Sequence, residues 1–512
     1  MKRGHLLVAP LAILAACGTR NPSWDAQLDV VGPTVAAGEL VWVNRTEAVA
    51  EALDPSGLTG PVGFDVVSLP RAVAATPGGF LVSGGRGDDP QLDVVSLPAG
   101  TRQTLHVAGA YDHIDVAPDG LHAVLYFDPA APPAPGAPAA RNNNEVTVVD
   151  LGALTAQRLA LGTESLAPES TAFSSQGDVA AVILDGTVVL IDLEQPEHRV
   201  QVPLKLPGGV ALHPEEALFA PDGRYLYVRA SGSDDVLALE VNRTDDELGS
   251  AVNFLFSPGA SGLADIAVPQ GPGFERYVAA LYDGPGGATA VLLDATGDSS
   301  RNHTLQLATA ADRLDDLGGG MLLISSASST AVSGWEPLLD RADTDALPAQ
   351  PVAAPRVAAG HAFFIHPAVS IGAGTSAALT SVALVDDGAR LRLRQNPLVL
   401  GGAPSASMVD PATGTLLLGI EVPREGSAAP GPDDSEQTGS VVTVDPNTLA
   451  IGGLVLDARV TGMGVVGGFG FATHPGELGD VSFFPLDDPT RATAHRVYGF
   501  LAGHLADLGE AP

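Results

Sequence analysis

Residues 217–242 read ALFAPDGRYLYVRASGSDDVLALEVN, and this stretch decides the fold. A first apolar run ends at a Pro-Asp-Gly turn (221–223), a second apolar run follows it, and a third begins after a polar turn. Proline presets the first central dihedral angle of such a turn, aspartate bonds back to the backbone, and glycine takes the positive φ that ends the reversal. The stretch therefore predicts three antiparallel strands joined by tight turns.

The same unit recurs along the chain. Residues 114–151 contain a second Pro-Asp-Gly turn, and residues 172–193 and 409–445 follow the same plan with less regular turns. An acidic residue ends the third run of four units, at intervals of 42, 48 and 54 residues: Asp150, Asp192, Glu240 and Asp294. Periods of this length indicate repeat arrays or propellers.

These units resemble the blades of β-propellers with YVTN-type or lactonase-like repeats, over about two thirds of the chain. The resemblance implies an all-β fold, a β-propeller of four-stranded antiparallel sheets. Units of about 40 to 55 residues between residues 28 and 499 give eight to ten modules. Because terminal strands usually close one blade jointly, we expect eight blades, with seven or nine as alternatives. A further alternative divides the chain into two domains within the weakly patterned stretch 335–358.

The N-terminus carries an export signal. Lys2 and Arg3 precede an apolar stretch of eleven residues that ends at Ala16, too short to cross a hydrocarbon core of about 30 Å as a helix. We therefore expect a signal peptide over 1–16. Leu14-Ala15-Ala16-Cys17 resembles the lipobox of bacterial lipoproteins, which implies cleavage before Cys17 and acylation of that residue. The alternative is an incidental cysteine in an ordinary secretory signal.

The predicted organisation follows from these features. It comprises the signal peptide (1–16), a lipidated tether (17–27), a β-propeller domain (28–499) and a C-terminal tail (500–512). Two or more acyl chains give stable anchoring in a lipid bilayer. Gly18 occupies the position at which an aspartate favours inner-membrane retention in many Gram-negative bacteria, so we expect a cell-envelope location at the outer membrane.

Composition excludes one class of partner. The chain has 60 acidic and 26 basic residues and a formal net charge of −34, so it repels phosphate backbones and anionic lipid headgroups. Nucleic acid is therefore not an expected partner. The chain has no Gly-x-Ser-x-Gly and no phosphate-binding Gly-Lys-Ser/Thr loop, and its single cysteine is the lipidation candidate. We expect no catalytic residues and no cofactor, with Ca²⁺ or another divalent cation as the alternative.

Alignment of the repeats nevertheless provides one candidate site. It places four polar residues near the start of the innermost strand of successive blades, where the central channel opens: His113, Ser170, Glu216 and Asp265. Lactonase-like propellers use polar residues around this channel to hold a metal or a substrate, so the resemblance implies a channel site at these positions. A register error of one residue would reverse the direction in which each side chain faces.

Two functions remain open on this evidence. The first is a non-enzymatic binding or scaffold module for another envelope protein, similar in plan to the propeller lipoprotein of the outer-membrane-protein assembly machinery. The second is a lactonase-like hydrolase with a divalent cation in the central channel. Residues 128–144, which contain five prolines, predict an exposed loop on one face, and loops on a rigid scaffold are frequent binding sites.

Overall fold

A computed structural model describes residues 28–502 except 138–141, 163–165, 207, 245–246, 256–259, 285, 372–373, 387–389, 401, 403, 422–438, 457, 476–478 and 491–492. The signal peptide, Cys17, the tether and most of the tail lie outside the described residues. Within them the strands form ten four-stranded antiparallel sheets, and strands that follow one another in sequence are neighbours in each sheet. We call the sheets blades 1 to 10 in chain order.

The first five blades run from Val30 to Leu255. Their strands are β1 (Val30–Ala36), β2 (Glu39–Asn44), β3 (Val49–Leu53) and β4 (Val62–Asp65); β5 (Ala72–Thr76), β6 (Gly79–Arg86), β7 (Asp89–Ser96) and β8 (Thr101–His106); β9 (His113–Val116), β10 (His122–Tyr126), β11 (Glu145–Asp150) and β12 (Thr155–Ala160); β13 (Pro168–Phe173), β14 (Val179–Leu184), β15 (Thr187–Asp192) and β16 (Arg199–Pro203); β17 (His213–Phe219), β18 (Tyr225–Ser231), β19 (Val236–Arg243) and β20 (Leu248–Leu255).

The second five blades run from Leu263 to Tyr498. Their strands are β21 (Leu263–Ala267), β22 (Tyr277–Gly284), β23 (Gly287–Asp294) and β24 (His303–Gln306); β25 (Arg313–Gly318), β26 (Met321–Ser325), β27 (Ala331–Glu336) and β28 (Arg341–Ala346); β29 (Arg356–Ala358), β30 (His361–Ile371), β31 (Gly374–Asp386) and β32 (Leu391–Val399); β33 (Pro404–Val409), β34 (Leu416–Glu421), β35 (Gly439–Val444) and β36 (Ile451–Leu456); β37 (Gly462–Val466), β38 (Phe469–Thr473), β39 (Asp480–Pro485) and β40 (His495–Tyr498).

Helical structure in the described residues consists of three single 3₁₀ turns: Ser299–Arg301, Pro337–Leu339 and Phe500–Ala502. None of the helices in this part of the chain has the length and apolar character needed to span a bilayer. The stretch 335–358, where the sequence allowed a division into two domains, contains the end of β27, all of β28 and the start of β29. Blade 7 therefore continues into blade 8 through this stretch.

The all-β propeller of four-stranded sheets is confirmed, but the expectation of eight blades, with seven or nine as alternatives, is wrong. Each terminal blade takes all four strands from its own end of the chain, so no blade is shared between the two ends. Blades 1, 2 and 10 (Val30–Asp65, Ala72–His106 and Gly462–Tyr498) are also each shorter than the units on which the estimate rested. Compact terminal blades without shared closure therefore raise the number to ten.

The Pro-Asp-Gly turns have the conformation that their chemistry predicts. Gly223 lies at φ +74° and donates its backbone N–H to the carbonyl of Ala220 at 2.9 Å. The Asp222 carboxylate accepts the backbone N–H of Arg224 at 3.0 Å, and Asp119 accepts that of Leu121 at 2.8 Å in blade 3. These local bonds form the hairpin between the first and second strands of a blade from sequence information alone.

The recurring acid at the end of the third strand has a similar local role. Asp150 accepts the backbone N–H of Ala153 at 2.7 Å, and Asp192 accepts the N–H of Glu194 at 3.0 Å. Asp294 accepts the N–H of Thr296 at 2.9 Å. The acid therefore caps the turn that leads to the fourth strand, which explains its periodic recurrence.

Blade 4 shows how the core is built. All residues of β14 and β15 are buried, because successive side chains point to opposite faces and both faces are covered. Ala180 and Val182 pack against blade 3, whereas Ala181 and Ile183 pack against blade 5. The middle strands are therefore continuously apolar, unlike strands with one solvated face.

Ten such apolar clusters close the ring. Nine join consecutive blades, and the tenth joins blade 10 to blade 1. In this last cluster, which we call the seam, Trp42 of β2 contacts Phe500 with ring centroids 4.7 Å apart. Phe500 and Leu501 are buried, so the boundary expected at residue 499 falls inside the seam cluster.

The first strand of each blade is the innermost. Backbones of neighbouring blades approach one another most regularly at their first strands, while fourth strands such as β8 and β28 are mostly exposed. Polar bonds also join first strands directly: the Thr171 hydroxyl donates to the Asp115 carboxylate at 2.6 Å across blades 3 and 4. The first strands are partly buried and therefore line the central channel.

The seam makes the first prediction. Because the two ends of the chain share no blade, side-chain packing at the seam carries the closure, and Phe500→Ala removes a buried aromatic ring from it. We expect a loss of about 3–5 kcal/mol in the free energy of unfolding, measured by urea denaturation. Tyr498→Ala, two residues away at an exposed position, should change it by less than about 0.5 kcal/mol. Equal effects of the two variants would contradict this account of closure.

Candidate functional site

The four residues singled out from the repeats occupy equivalent positions in four consecutive blades. His113 pairs with Tyr126 on the second strand of blade 3. Ser170, Glu216 and Asp265 each follow a register shift in their first strand and pair with Ile183, Arg229 and Leu281, respectively. In every case the partner stands at the same place in the second strand, counted from its first buried core residue, so all four residues lie at one level of the channel wall.

A fifth polar residue stands at this level, and the sequence analysis missed it. Arg313 of blade 7 pairs with Ser325 at the equivalent position of the second strand. Its strand ends at three consecutive glycines (318–320) instead of a Pro-Asp-Gly turn, so the repeat alignment did not extend to it. The pair of acids that follows Arg313, at 315–316, was the available signal. We call the five residues His113, Ser170, Glu216, Asp265 and Arg313 the polar arc.

The remainder of this level is apolar or small. Val31, Ala72, Ala406 and Gly462 occupy the equivalent positions in blades 1, 2, 9 and 10, and in blade 8 the described strand pairing does not reach this level. The polar residues therefore form one continuous arc over blades 3 to 7. A purely architectural repeat would not require this asymmetry.

Charged groups meet in the part of the arc formed by blades 5 to 7. Arg229 contacts Glu216 through Nε at 3.2 Å and also pairs with Glu215. Burial raises the pKa of Glu216, and repulsion from Asp265 raises it further. Burial likewise raises the pKa of Asp265, although this carboxylate accepts the backbone N–H of Leu314 at 2.7 Å. The two carboxylates are thus only partly compensated.

Arg313 completes this charged region without neutralising it. Its guanidinium binds Asp315 on the same strand, with Nε 3.0 and 2.9 Å from the two carboxylate oxygens and a terminal nitrogen 2.7 Å from one of them. Asp315 therefore takes most of the directional bonding capacity of this arginine. The attraction that reaches Asp265 and Glu216 is a longer-range one.

The other end of the arc is separate. The ring of His113 makes an edge contact with that of Tyr126, with centroids 5.0 Å apart. Within the described part of the chain, no hydrogen bond or ion pair joins His113 or Ser170 to Glu216 or Asp265. Among these same residues no group of three or more His, Cys, Asp or Glu side chains is placed to hold a metal ion. The structure thus brings together Glu216, Asp265 and Arg313, but not all five residues.

Three cavities open on one side of the ring. They are formed by connections between a fourth strand and the next first strand, and by turns between second and third strands. In an up-and-down blade these two kinds of connection lie on the same side, which we call the cavity face. The hairpin turns between first and second strands lie on the opposite face. The polar arc begins close to the cavity face.

The largest of the three, about 470 Å³, lies between blades 1, 2 and 3. Its walls include His113 and the start of the proline-rich insertion, at Asp128, Ala131 and Pro132. Inside it, Arg71 contacts the Asp112 carboxylate through Nε at 2.6 Å. This insertion therefore forms part of a cavity wall in its described residues.

The other two cavities differ in character. One of about 360 Å³ lies at the seam and is lined by Leu28, Trp42 and His474 among others. The other, of about 260 Å³, lies between blades 6, 7 and 8 and contains both Asp265 and Arg313. Glu421 and Gly439, which flank the long insertion at 422–438, also end their strands at the cavity face.

Comparison with known proteins gives distant structural similarity only. No protein-family model matches the chain, and no curated protein matches it either. Among solved structures, the chain is similar to the dihydro-heme d1 dehydrogenase NirN in complex with DHE, at 14% identity and a TM-score of 0.40, over 74% of this chain and 73% of that one.

Two other solved structures show similarity of the same order. One, described as the eukaryotic initiation factor, has 11% identity and a TM-score of 0.39 over 90% of this chain and 94% of that chain. The WD40 domain of SCAP from fission yeast has 12% identity and a TM-score of 0.37 over 67% and 86%. These values are too low to carry information on activity.

Glu216 gives a testable pH dependence. Because its pKa is raised in the folded protein, the folded state holds a proton at a pH where the unfolded chain has released it. Its contribution to stability is therefore greatest at low pH and falls as the pH rises through the raised pKa. We expect the wild type to gain stability relative to Glu216→Gln when the pH is lowered from 7.5 to 5, measured by urea denaturation. A constant difference, or the opposite slope, would contradict the assignment.

Proposed function

We propose that this chain is a lipid-anchored β-propeller of the bacterial cell envelope that binds another envelope protein through its cavity face, without catalysing a reaction. The observation that supports this most directly is the concentration of cavities and of the proline-rich insertion on one face of a closed ring. Each blade is held between two others, so the ring is a rigid support, and loops on rigid supports are where binding residues concentrate.

The side chains of the polar arc favour binding over catalysis. Glu216 is engaged by Arg229, Asp265 by the Leu314 backbone, and Arg313 by Asp315. The hydrolase alternative requires a divalent cation in the channel, and no observation in the described residues favours one. The proposed function therefore needs no metal and no cofactor.

The proposed anchor is consistent with this orientation. Leu28 lines the seam cavity, so the described chain enters the ring at the cavity face. Cys17 lies eleven residues earlier, and a fully extended chain of that length spans at most about 40 Å. Acylation of Cys17 would hold the cavity face within that distance of the bilayer. The strong negative charge opposes direct contact with anionic headgroups, so the membrane contact is through the acyl chains.

Lipid anchoring is tested by Cys17→Ser in cells supplied with an alkyne analogue of palmitate. We expect the wild type to incorporate the label and to sediment with outer membranes. The variant should be unlabelled and should leave the membrane fraction, because its hydroxyl cannot accept the thioether-linked lipid. Label retained in the variant, or unlabelled wild type in the soluble fraction, would overturn the anchoring proposal.

Binding through the cavity face is tested by site-specific photo-crosslinking in intact cells. Leu69 and Val352 are exposed on connections at the cavity face, whereas Leu121 and Leu339 are comparably exposed on turns at the opposite face. A photoreactive residue at either of the first two positions should give a discrete crosslinked product with an envelope protein. The other two positions are the matched controls. The proposal fails if all four positions give the same products, or if only the controls crosslink.

A further inference from the structure

The cavity between blades 6, 7 and 8, which we call the blade-7 cavity, has an uneven distribution of charge. Two carboxylates line it, Asp265 and Asp312, together with the Arg313 guanidinium. Arg313 is bound to Asp315, and among the described residues neither cavity aspartate has an ion-pair partner within 4.0 Å. The cavity therefore presents negative charge that the protein leaves unpaired.

Both carboxylates have firm positions. Asp265 accepts the Leu314 backbone N–H at 2.7 Å, and Asp312 accepts the Ser326 hydroxyl at 3.1 Å. Each of these bonds uses one oxygen and leaves further acceptor sites on the carboxylate, since an ionised carboxylate can accept about four hydrogen bonds. The acceptors are thus oriented in advance of any ligand.

A buried hydroxyl provides an independent observation. Ser325 lines the blade-7 cavity and is only 2% exposed, yet its hydroxyl makes no hydrogen bond within the described part of the chain. A buried polar group without a partner is uncommon, because its lost hydration is not replaced. A ligand with an N–H group directed at Ser325 would supply the missing bond.

The rest of the wall is apolar and the space is small. Pro351, Pro355 and Phe364 face the same cavity. Its volume of about 260 Å³ lies below the range of roughly 300–1,000 Å³ that is typical of sites for drug-sized ligands. The blade-7 cavity can therefore hold one short side chain or a molecule of that size.

From this arrangement we infer that the blade-7 cavity binds an alkylammonium or alkylguanidinium group, with the cation between Asp265 and Asp312, an N–H donated to Ser325, and the methylenes against the proline and phenylalanine wall. The carboxylates disfavour an anion, and two aspartates alone are too few for a metal site. The inference rests on the proposed binding function, which it deepens by naming the chemistry recognised. The group could belong to a free small amine or to a basic side chain of a bound protein.

The test is isothermal titration calorimetry on the folded protein at low ionic strength with three probes. Agmatine represents a free amine, N-acetylarginine amide represents a basic side chain within a polypeptide, and N-acetylcitrulline amide is the uncharged control of the same shape. We expect one-to-one binding of at least one cationic probe and none of the citrulline derivative. Binding of agmatine alone would identify a free amine as the source, and binding of the arginine derivative would identify a polypeptide side chain.

Variants connect the binding to this cavity. Asp312→Asn should weaken the cationic probe at least about tenfold, because it removes a charge-assisted bond, and Ser325→Ala should weaken it about threefold. Asp345→Asn, on the exposed β28 of the same blade, is the matched control and should leave the affinity unchanged. Should Asp312→Asn not fold, Ser325→Ala and the comparison of arginine with citrulline on the wild type still decide the result.

Two outcomes overturn the inference: no binding of either cationic probe, or equal affinity in wild type, Asp312→Asn and Ser325→Ala. Either outcome would leave the crosslinking experiment unaffected, since that experiment reports on protein contacts anywhere on the cavity face. Failure of the amine site and failure of the proposed scaffold function are therefore distinguishable.

Discussion

The structure depends on one constraint: a four-stranded sheet with two apolar faces must be covered on both. In blade 4, alternate residues of β14 enter two different apolar clusters, one shared with blade 3 and one with blade 5. No blade can meet this requirement alone, and the hydrophobic effect therefore favours a ring in which every blade has two neighbours. Closing the ring also leaves no face at either end exposed.

The seam shows how this constraint is met where the chain begins and ends. Many rings of this kind share a blade between the two termini, which was the basis of the expectation of eight blades. Here blades 1 and 10 are each complete, and only side chains join them. Trp42 and Phe500 therefore do the work that backbone hydrogen bonds do in a shared blade, and the last residues described belong to the core.

Departures from the repeat are concentrated on one side of the ring. The polar arc occupies blades 3 to 7, and residues without a polar side chain hold the same level in blades 1, 2, 9 and 10. Two of the three cavities include a member of this arc. Because packing requirements are the same all round the ring, this asymmetry is better explained by recognition than by stability.

The sequence by itself determined the local features of this protein. Pro221, Asp222 and Gly223 specify their hairpin through dihedral preferences and bonds between near neighbours, so the all-β class and the repeat could be predicted. The candidate positions His113, Ser170, Glu216 and Asp265 were reached in the same way, by counting back from these turns. Their role as a site remains a prediction.

Only the tertiary structure decided the number of blades, the membership of Arg313 in the arc and the blade-7 cavity. Arg313 precedes an irregular turn, and its level is defined by pairing with Ser325. The cavity joins residues from three blades that are far apart in sequence. The physical reason is range: turn chemistry acts over a few residues, whereas ring closure and cavity shape depend on which distant apolar faces pack together.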